Sequence, residues 1–363
     1  MKKIAICGGH LTPAIALVEA LEKKGNANLF FFTRKSATEG NSQPSAEYKE
    51  AQKHKVTIIT LVGGRIQRRF TSQTIPALLK IPLTFVQSFL YLLAYWPDIT
   101  VVVGGSLSFP VVFNSWLLGI PIVVHEQAVE PGLSNRLNAL FAQQIFITWP
   151  ESQKFFPNEK TQLIGNLTRK SANVKSTNKS LQKALDTKLE VLLVTGGNQG
   201  SHFLNKMVFE NLNLFKKYKL IHILGNANYG GDHEASAKIK SPNYSAFEYL
   251  DAADMTAVYK KAKIVVSRSG ANTVWDLAQI GKVSILIPLP IAAAGEQYKN
   301  AQILENAGSA VIVDEQNYNE KVLESALNDM SANYKNYDLA AQKYKNDLAL
   351  GGVEKLTSYL NSF

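Results

Sequence analysis

Cysteine is nearly missing from the chain: Cys7 stands alone among 363 residues. One thiol excludes an intrachain disulfide framework and any multi-cysteine zinc or iron–sulfur centre, and it predicts a reducing compartment such as the cytoplasm. Acidic residues are also short. Asp plus Glu number 29 against 39 Lys plus Arg, a net charge of +10. The positive field this implies favours phosphates, anionic lipid headgroups or nucleic acid without choosing among them. Long apolar runs are absent as well. The longest, Leu83 to Trp96, contains Gln87 and Ser88 and falls short of the roughly 20 residues that cross a bilayer, so no membrane span is expected. The apolar start Ile4–Cys7 breaks at Gly8-Gly9-His10, too soon for a signal-peptide core, and reads as a first strand. No Asp-x-Asp motif occurs. The nearest spacing, Asp232-His233-Glu234, lies in polar surroundings and reads as a solvated loop, so no protein-held metal is expected.

The length predicts two hydrophobic cores, since single cores stop growing near roughly 250 residues. Apolar runs alternate with helical patterns: Lys3–Cys7, Asn28–Thr33, Val56–Leu61, Ile99–Val103, Ile120–His125 and Gln144–Thr148 read as strands. Runs that are apolar on both faces and separated by helices predict a parallel sheet in a doubly wound α/β domain. The grammar then restarts with Leu189–Thr195, Tyr218–Leu224, Tyr244–Tyr249, Ile264–Ser267, Ser284–Pro288 and Ala310–Val313. Between the two sets, the polar stretch Lys170–Lys188 reads as a linker or surface excursion. The tail from Glu320 is helical in pattern, with a break at Gly351-Gly352.

Candidate chemistry sits in the loops that follow strands. Gly8-Gly9-His10 precedes a helix beginning near Pro13, where backbone amides can approach a diphosphate or a sugar. As a bare motif it equally suits a tight strand-to-helix turn. His10 places a titratable imidazole at the strand's carboxyl edge, suited to accepting a proton or to capping the helix. Gly104-Gly105-Ser106 follows another strand, and His125-Glu126-Gln127 ends a third, at the edge where open α/β sheets bind ligands. In the second half, Gly196-Gly197-Asn198-Gln199-Gly200-Ser201 is neither a Walker loop nor a GxGxxG. Ser269-Gly270-Ala271-Asn272-Thr273 predicts a helix start whose amides can hold a diphosphate, with Asp276 a turn later to accept ribose hydroxyls. A dehydrogenase would need an acid closing the second strand, and Asn28–Thr33 offers none.

Four blocks in order carry a resemblance: Gly8-Gly9-His10 with Pro13; His125-Glu126-Gln127 with Pro131-Gly132-Leu133; Gly196-Gly197-Asn198-Gln199-Gly200; and Arg268-Ser269-Gly270-Ala271 with Thr273-Val274, Gln297 and Asn300. Over nearly its whole length the chain resembles the MurG family of N-acetylglucosaminyltransferases. That resemblance implies a GT-B fold, two Rossmann-like domains facing a central cleft, with the N-terminal domain over 1–166 plus a returning helix at 345–363 and the C-terminal domain over 167–344. It implies an inverting transfer from UDP-GlcNAc to the lipid-linked acceptor lipid I. Gly8, Gly9 and His10 would face the acceptor and the transferred sugar, with His10 the leading candidate base and Glu126 the second. Ser269, Gly270, Ala271, Asn272, Thr273, Val274 and Asp276 would surround the phosphates and ribose, Leu250 the uracil, and Gln297 the sugar, with Asn198 and Arg169 near the nucleotide. Neither a cofactor nor nucleic acid is implied. Arg65, Arg68, Arg69 and Lys80, interleaved with apolar residues through Ile81, would dock on an anionic membrane surface as a peripheral protein.

Departures from the family pattern bear on the acceptor. The first loop is shorter than the usual GGTGGH, Ala128 stands where Asn is usual, Phe109 replaces Gly, Asn198 replaces Ser, Asp276 replaces Glu and Ile291 replaces a common His. Another lipid acceptor such as diacylglycerol, or a catalytically weak nucleotide-binding homologue, therefore stays open at this level.

Overall fold

The computed structural model describes residues 1–36, 44–63, 74–168, 176–291 and 295–363. The chain divides into two compact units, Met1–Arg169 with Ala349–Phe363, and Lys170–Leu348.

The first unit is built on seven strands: β1 (Lys2–Cys7), β2 (Ala27–Thr33), β3 (Thr57–Thr60), β4 (Ile99–Val102), β5 (Ile122–Glu126), β6 (Gln144–Ile147) and β7 (Thr161–Leu163). They pair in parallel in the order β3-β2-β1-β4-β5-β6-β7. Helices α1 (Leu11–Lys24), α2 (Ala46–Ala51), α3 (Thr74–Tyr95), α4 (Ser108–Leu117) and α5 (Leu133–Phe141) connect them. Side chains alternate along each strand. Ile4, Ile6, Val101, Val103 and Val123 therefore fill one core with α1, while Ala5, Cys7, Val102, Ile122 and Val124 fill the other. Each fully buried aliphatic side chain contributes about 1.5–3 kcal/mol. The last helix of the chain, which runs Gly352–Asn361, inserts Val353, Leu356 and Leu360 into the α1 core.

The second unit has six strands: β8 (Glu190–Thr195), β9 (Tyr218–Ile223), β10 (Tyr244–Phe247), β11 (Ala262–Ser267), β12 (Val283–Leu286) and β13 (Ala310–Ile312). All are parallel, in the order β10-β9-β8-β11-β12-β13. Its helices are α6 (Lys179–Leu185), α7 (His202–Glu210), α8 (Asp232–Ala237), α9 (Ala252–Lys261), α10 (Ala271–Ile280), α11 (Glu296–Asn306), α12 (Glu320–Ala332) and α13 (Tyr334–Asp347), and the chain's last helix is then α14. In both sheets the order reverses beside the first strand of the unit, between β1 and β4 and between β8 and β11. Open α/β sheets bind ligands at such switch points.

Two expectations need correction. The polar stretch Lys170–Lys188 is not wholly an excursion: α6 lies within it, capped by Asn178, whose Oδ1 accepts the Leu181 N–H at 3.1 Å, and Leu181, Ala184 and Leu185 are buried. Their spacing of three and four residues is a helical face that the surrounding lysines hide. Asp232 is not solvated either. It is 2% exposed, accepting from Asn205 Nδ2 at 2.7 Å and lying 2.8 Å from His202 Nδ1. Among the described residues no cluster suited to a metal ion occurs.

Candidate functional site

At the switch point of the first unit, Cys7 pairs with Val102, so the loops after β1 and β4 leave the sheet side by side. They touch backbone to backbone. A Cβ on Gly9 would come within 2.2 Å of the Gly104 carbonyl oxygen and one on Gly105 within 2.4 Å of the Gly9 Cα. Glycine at these positions is thus explained by close approach and, at Gly104 and Gly105, by positive φ. His10 occupies the cap position of α1, yet its side chain makes no capping hydrogen bond. The imidazole lies instead over Gly104, where a Cβ would meet its Cδ2 at 2.7 Å and its Nε2 at 2.9 Å. Burial pushes His10 down to about 4, so the ring is a neutral base at physiological pH, and the residue as a whole is partly buried.

Glu126 ends β5 at 2% exposure, and its carboxylate is engaged. One oxygen accepts the Ala128 N–H at 2.8 Å and the other accepts Asn135 Nδ2 at 2.8 Å. Asn138 then donates to Ser108 Oγ at 2.7 Å, and Ser108 Oγ donates to the Gly105 carbonyl at 2.6 Å. Glu126 is therefore tied through buried hydrogen bonds toward the glycine loop that supports His10. Trp149 Nε1 donates to the Gln127 carbonyl at 3.1 Å and Ser152 Oγ to the Ala128 carbonyl at 2.9 Å, which pins the His125-Glu126-Gln127-Ala128 segment against the end of β6. Phe109, the residue standing in place of glycine, opens α4 and packs against Phe85, Phe113 and Phe141.

In the second unit Thr195 pairs with Ser267, so the loops after β8 and β11 are neighbours. Gly200 and Gly225 approach so closely that a Cβ on Gly200 would sit 2.1 Å from the Leu224 carbonyl oxygen. Helix α10 begins at Ala271, with Gly270 as its cap and no side-chain cap hydrogen bond. The amides of Ala271, Asn272 and Thr273 precede the first helical bond, which the Val274 N–H makes to the Gly270 carbonyl at 3.0 Å. A helix start of this kind carries partial positive charge. Among the described residues, and apart from its own chain neighbours, nothing lies within 4 Å of where a Gly270 Cβ would stand. Val274 is buried and anchors the turn. Asp276, half-buried one turn on, is pushed up to about 7 by desolvation, and its charge helps raise the neighbouring Tyr259 phenol.

Helix α11 is fastened to the same point. Ser269 Oγ donates to the Gln297 carbonyl at 2.8 Å, and Asn300 Nδ2 donates to the Ser269 carbonyl at 3.3 Å. Gln297 Oε1 accepts the Leu289 N–H at 3.1 Å. Ser269, Gly270 and Gln297 are thus brought together, and Arg268 links them to the other loop through its Nε–H to Ser201 Oγ at 3.1 Å. Asn198 is exposed at the tip of that loop. Leu250 is 4% exposed beyond β10. Arg169 lies outside the described residues, as do Arg65, Arg68 and Arg69.

Three features escaped the sequence reading. Arg268 is not an open phosphate ligand: besides Ser201 it donates to the Ile287 carbonyl at 3.1 Å, pairs with Glu315, and lies over Phe203. Glu315 is 47 residues away, and no local pattern announces such a partner. Asn135 and Tyr259 likewise gain their places beside Glu126 and Asp276 only through folding.

The sequence profiles of the glycosyltransferase family 28 N-terminal and C-terminal domains match residues 7–147 and 191–353. Among curated proteins, the UDP-N-acetylglucosamine–N-acetylmuramyl-(pentapeptide) pyrophosphoryl-undecaprenol N-acetylglucosamine transferase of Clostridium botulinum is 30% identical over 100% of this chain and 99% of its own length. The protein of the same name from Borrelia hermsii is 28% identical over 93% and 89%. Among solved structures, Acinetobacter baumannii MurG superposes with a TM-score of 0.75 at 20% identity, covering 100% of both chains. The UDP-GlcNAc 2-epimerase of Neisseria meningitidis, solved with UDP-GlcNAc bound, gives 0.66 at 12% identity over 100% of both, a likeness of fold alone. With two family 28 domains in order and 30% identity along the whole length of a curated member, the chain belongs to the MurG family of GT-B glycosyltransferases.

Proposed function

We propose that this glycosyltransferase moves N-acetylglucosamine from UDP-GlcNAc to the 4-hydroxyl of the muramyl sugar of lipid I, forming lipid II for peptidoglycan at the cytoplasmic face of the membrane. The observation that carries the reading is the start of α10, where Gly270 leaves the helix without a side-chain cap, Asp276 stands one turn on, and Ser269 fixes Gln297 beside it. Backbone donors and the helix dipole suit a diphosphate and need no metal clamp. Ionised Asp276 would accept the ribose hydroxyls, Leu250 would pack on the uracil, Asn198 and Arg169 would lie near the nucleotide, and Gln297 would hold the sugar.

In the transfer, an imidazole nitrogen of His10 takes the proton of the attacking hydroxyl. The oxygen forms its bond to the anomeric carbon as the bond from that carbon to the β-phosphate oxygen breaks on the opposite face. UDP leaves with the electron pair, and the anomeric centre inverts. Gly8 and Gly9 would admit the acceptor beside His10. Glu126, with both oxygens occupied, suits holding the loops in place better than accepting a proton.

Membrane contact is supported by the outward face of α3. On α3, Thr84 and Ser88 are buried, while Leu83, Val86, Leu90 and Leu93 are 45%, 55%, 57% and 48% exposed. Their spacing of three and four residues gathers them on one outward stripe. Trp96 and Trp116 are also half exposed, and aromatic rings favour the headgroup level. Among the described residues no helix is long and apolar enough to cross a membrane.

The donor assignment is tested by melting. UDP-GlcNAc at about 100 times its Kd should stabilise the chain by about 2.7 kcal/mol, a rise of roughly 5–10 °C in the melting midpoint. The donor's diphosphate does not titrate near neutrality, so pH acts through the protein. Because Asp276 sits at about 7 and its ionised form accepts the hydroxyls, donor affinity should rise as pH increases from 6 to 8. Asp276→Asn should weaken binding at pH 8 by about 10- to 100-fold and flatten the dependence. An unmoved midpoint with UDP-GlcNAc at millimolar concentration would refute the donor assignment.

A further inference from the structure

We propose that Arg34 binds the diphosphate of the acceptor and so selects a diphosphate-linked lipid over an uncharged one such as diacylglycerol. The inference rests on the transfer to lipid I proposed above and adds a residue to its acceptor side.

Arg34 is the first residue after β2, and the strand register carries it to the rim of the site. Phe32 pairs with Cys7 and Cys7 with Val102, so β2, β1 and β4 end level with one another, and β1 lies between the other two. From the β2 side the guanidinium reaches the loop after β4, where Nη2 donates to Ser106 Oγ. That bond spans the column that β1 ends, from which Gly8, Gly9 and His10 emerge. Neighbouring strands lie about 4.8 Å apart, so bridging two intervals takes most of the length of the side chain. The loop after β3 closes against the stem: a Cβ on Gly63 would come within 2.8 Å of Arg34 Nε and 2.6 Å of Leu107 Cδ2. Arg34 is thus held in one place while only partly buried. A guanidinium has five N–H donors, so the bond to Ser106 orients the fork without exhausting it.

The placement relative to His10 fits a sugar diphosphate. The His10 ring lies over Gly104, and Arg34 is fastened to Ser106, two residues on. Two residues of chain span at most about 7 Å. In a muramyl diphosphate the attacking 4-hydroxyl and the anomeric oxygen that carries the phosphate stand at opposite ends of the pyranose ring. An acceptor whose 4-hydroxyl meets His10 therefore has its diphosphate one ring width away, toward Arg34. The backbone alone is a poor anion site here. At α10, Ala271, Asn272 and Thr273 each carry an N–H ahead of the first helical bond. In α1 the first helical bond runs from the Ala14 N–H to the His10 carbonyl, and the residue before it is Pro13, which has no N–H. The preceding loop is also shorter than the family's usual GGTGGH. With fewer amides to face two phosphates, an arginine, whose fork matches phosphate oxygens two at a time, supplies what the backbone lacks.

The test sets two acceptors against the wild type, Arg34→Gln and Arg34→Lys. One acceptor is lipid I; the other is the same muramyl pentapeptide with a neutral alkyl glycoside in place of the diphosphate lipid. Arg34→Gln should raise the KM for lipid I by about 10- to 100-fold, the loss of charge-assisted hydrogen bonds, and leave the KM for UDP-GlcNAc within about twofold of the wild type. Arg34→Lys, which keeps the charge and loses the fork, should fall between. The neutral acceptor should bind all three chains alike, because removing the phosphates and removing the guanidinium delete the same interaction. Its Ki as a competitor of lipid I reads this whether or not it is turned over. An unchanged KM for lipid I in Arg34→Gln, or an equal loss with both acceptors, would overturn the proposal; the equal loss is what a residue that only shapes the loops would give. Should Arg34→Gln melt well below the wild type, Arg34→Lys decides by the same comparison. A wild-type chain that leaves lipid I unglycosylated would instead refute the transfer itself, a separate failure.

Discussion

His10→Ala lowers kcat by about 10²- to 10⁴-fold, the usual span for a lost general base, and leaves the KM for UDP-GlcNAc within about threefold of the wild type. The split follows from where the residues lie. His10 belongs to the first unit, at the end of β1, whereas the donor-binding residues proposed above, Arg169 excepted, belong to the second. Removing the imidazole takes away a proton acceptor without touching the α10 amides, Asp276 or Gln297. The side chain makes no capping hydrogen bond to α1, so its loss does not remove a helix cap. Steady-state kinetics checks both halves: undiminished turnover would exclude His10 as base, and a large rise in donor KM would move it to the donor site.

The second large effect is on stability. Arg268→Ala should cost about 3–5 kcal/mol, the range for breaking a buried ion pair from one side, and lower the melting midpoint of the second unit by roughly 6–20 °C. Arg268 is 8% exposed and joins Ser201 at the head of α7, the Ile287 carbonyl beyond β12, and Glu315 beyond β13. Its deletion leaves a carboxylate and a carbonyl without their donor. Lysine is not expected to rescue, because one ammonium cannot reproduce the planar fork. Calorimetry distinguishes this from a direct phosphate contact, which would raise donor KM with no change in melting.

These two residues mark what the sequence discloses. Strand runs apolar on both faces, each followed by a glycine loop and a helix, made the two parallel doubly wound sheets legible, and they are present in that order. The edge strand β7 was not: Thr161-Gln162-Leu163 has one apolar residue, and only pairing with β6 makes it a strand. Helix α6 was concealed by polar neighbours. Loop glycines announced close approach, but not that Gly9 meets Gly105 or Gly200 meets Gly225. Arg268 stood inside a recognisable motif, yet its ion-pair partner depends on tertiary folding.

Purified chain incubated with radiolabelled UDP-GlcNAc and lipid I in detergent micelles puts the whole account to one measurement. The expected result is label on the muramyl lipid, one sugar per acceptor, with an equal amount of UDP released. Label passing to another lipid, or none reaching lipid I under conditions in which UDP-GlcNAc raises the melting midpoint, would contradict the proposed reaction.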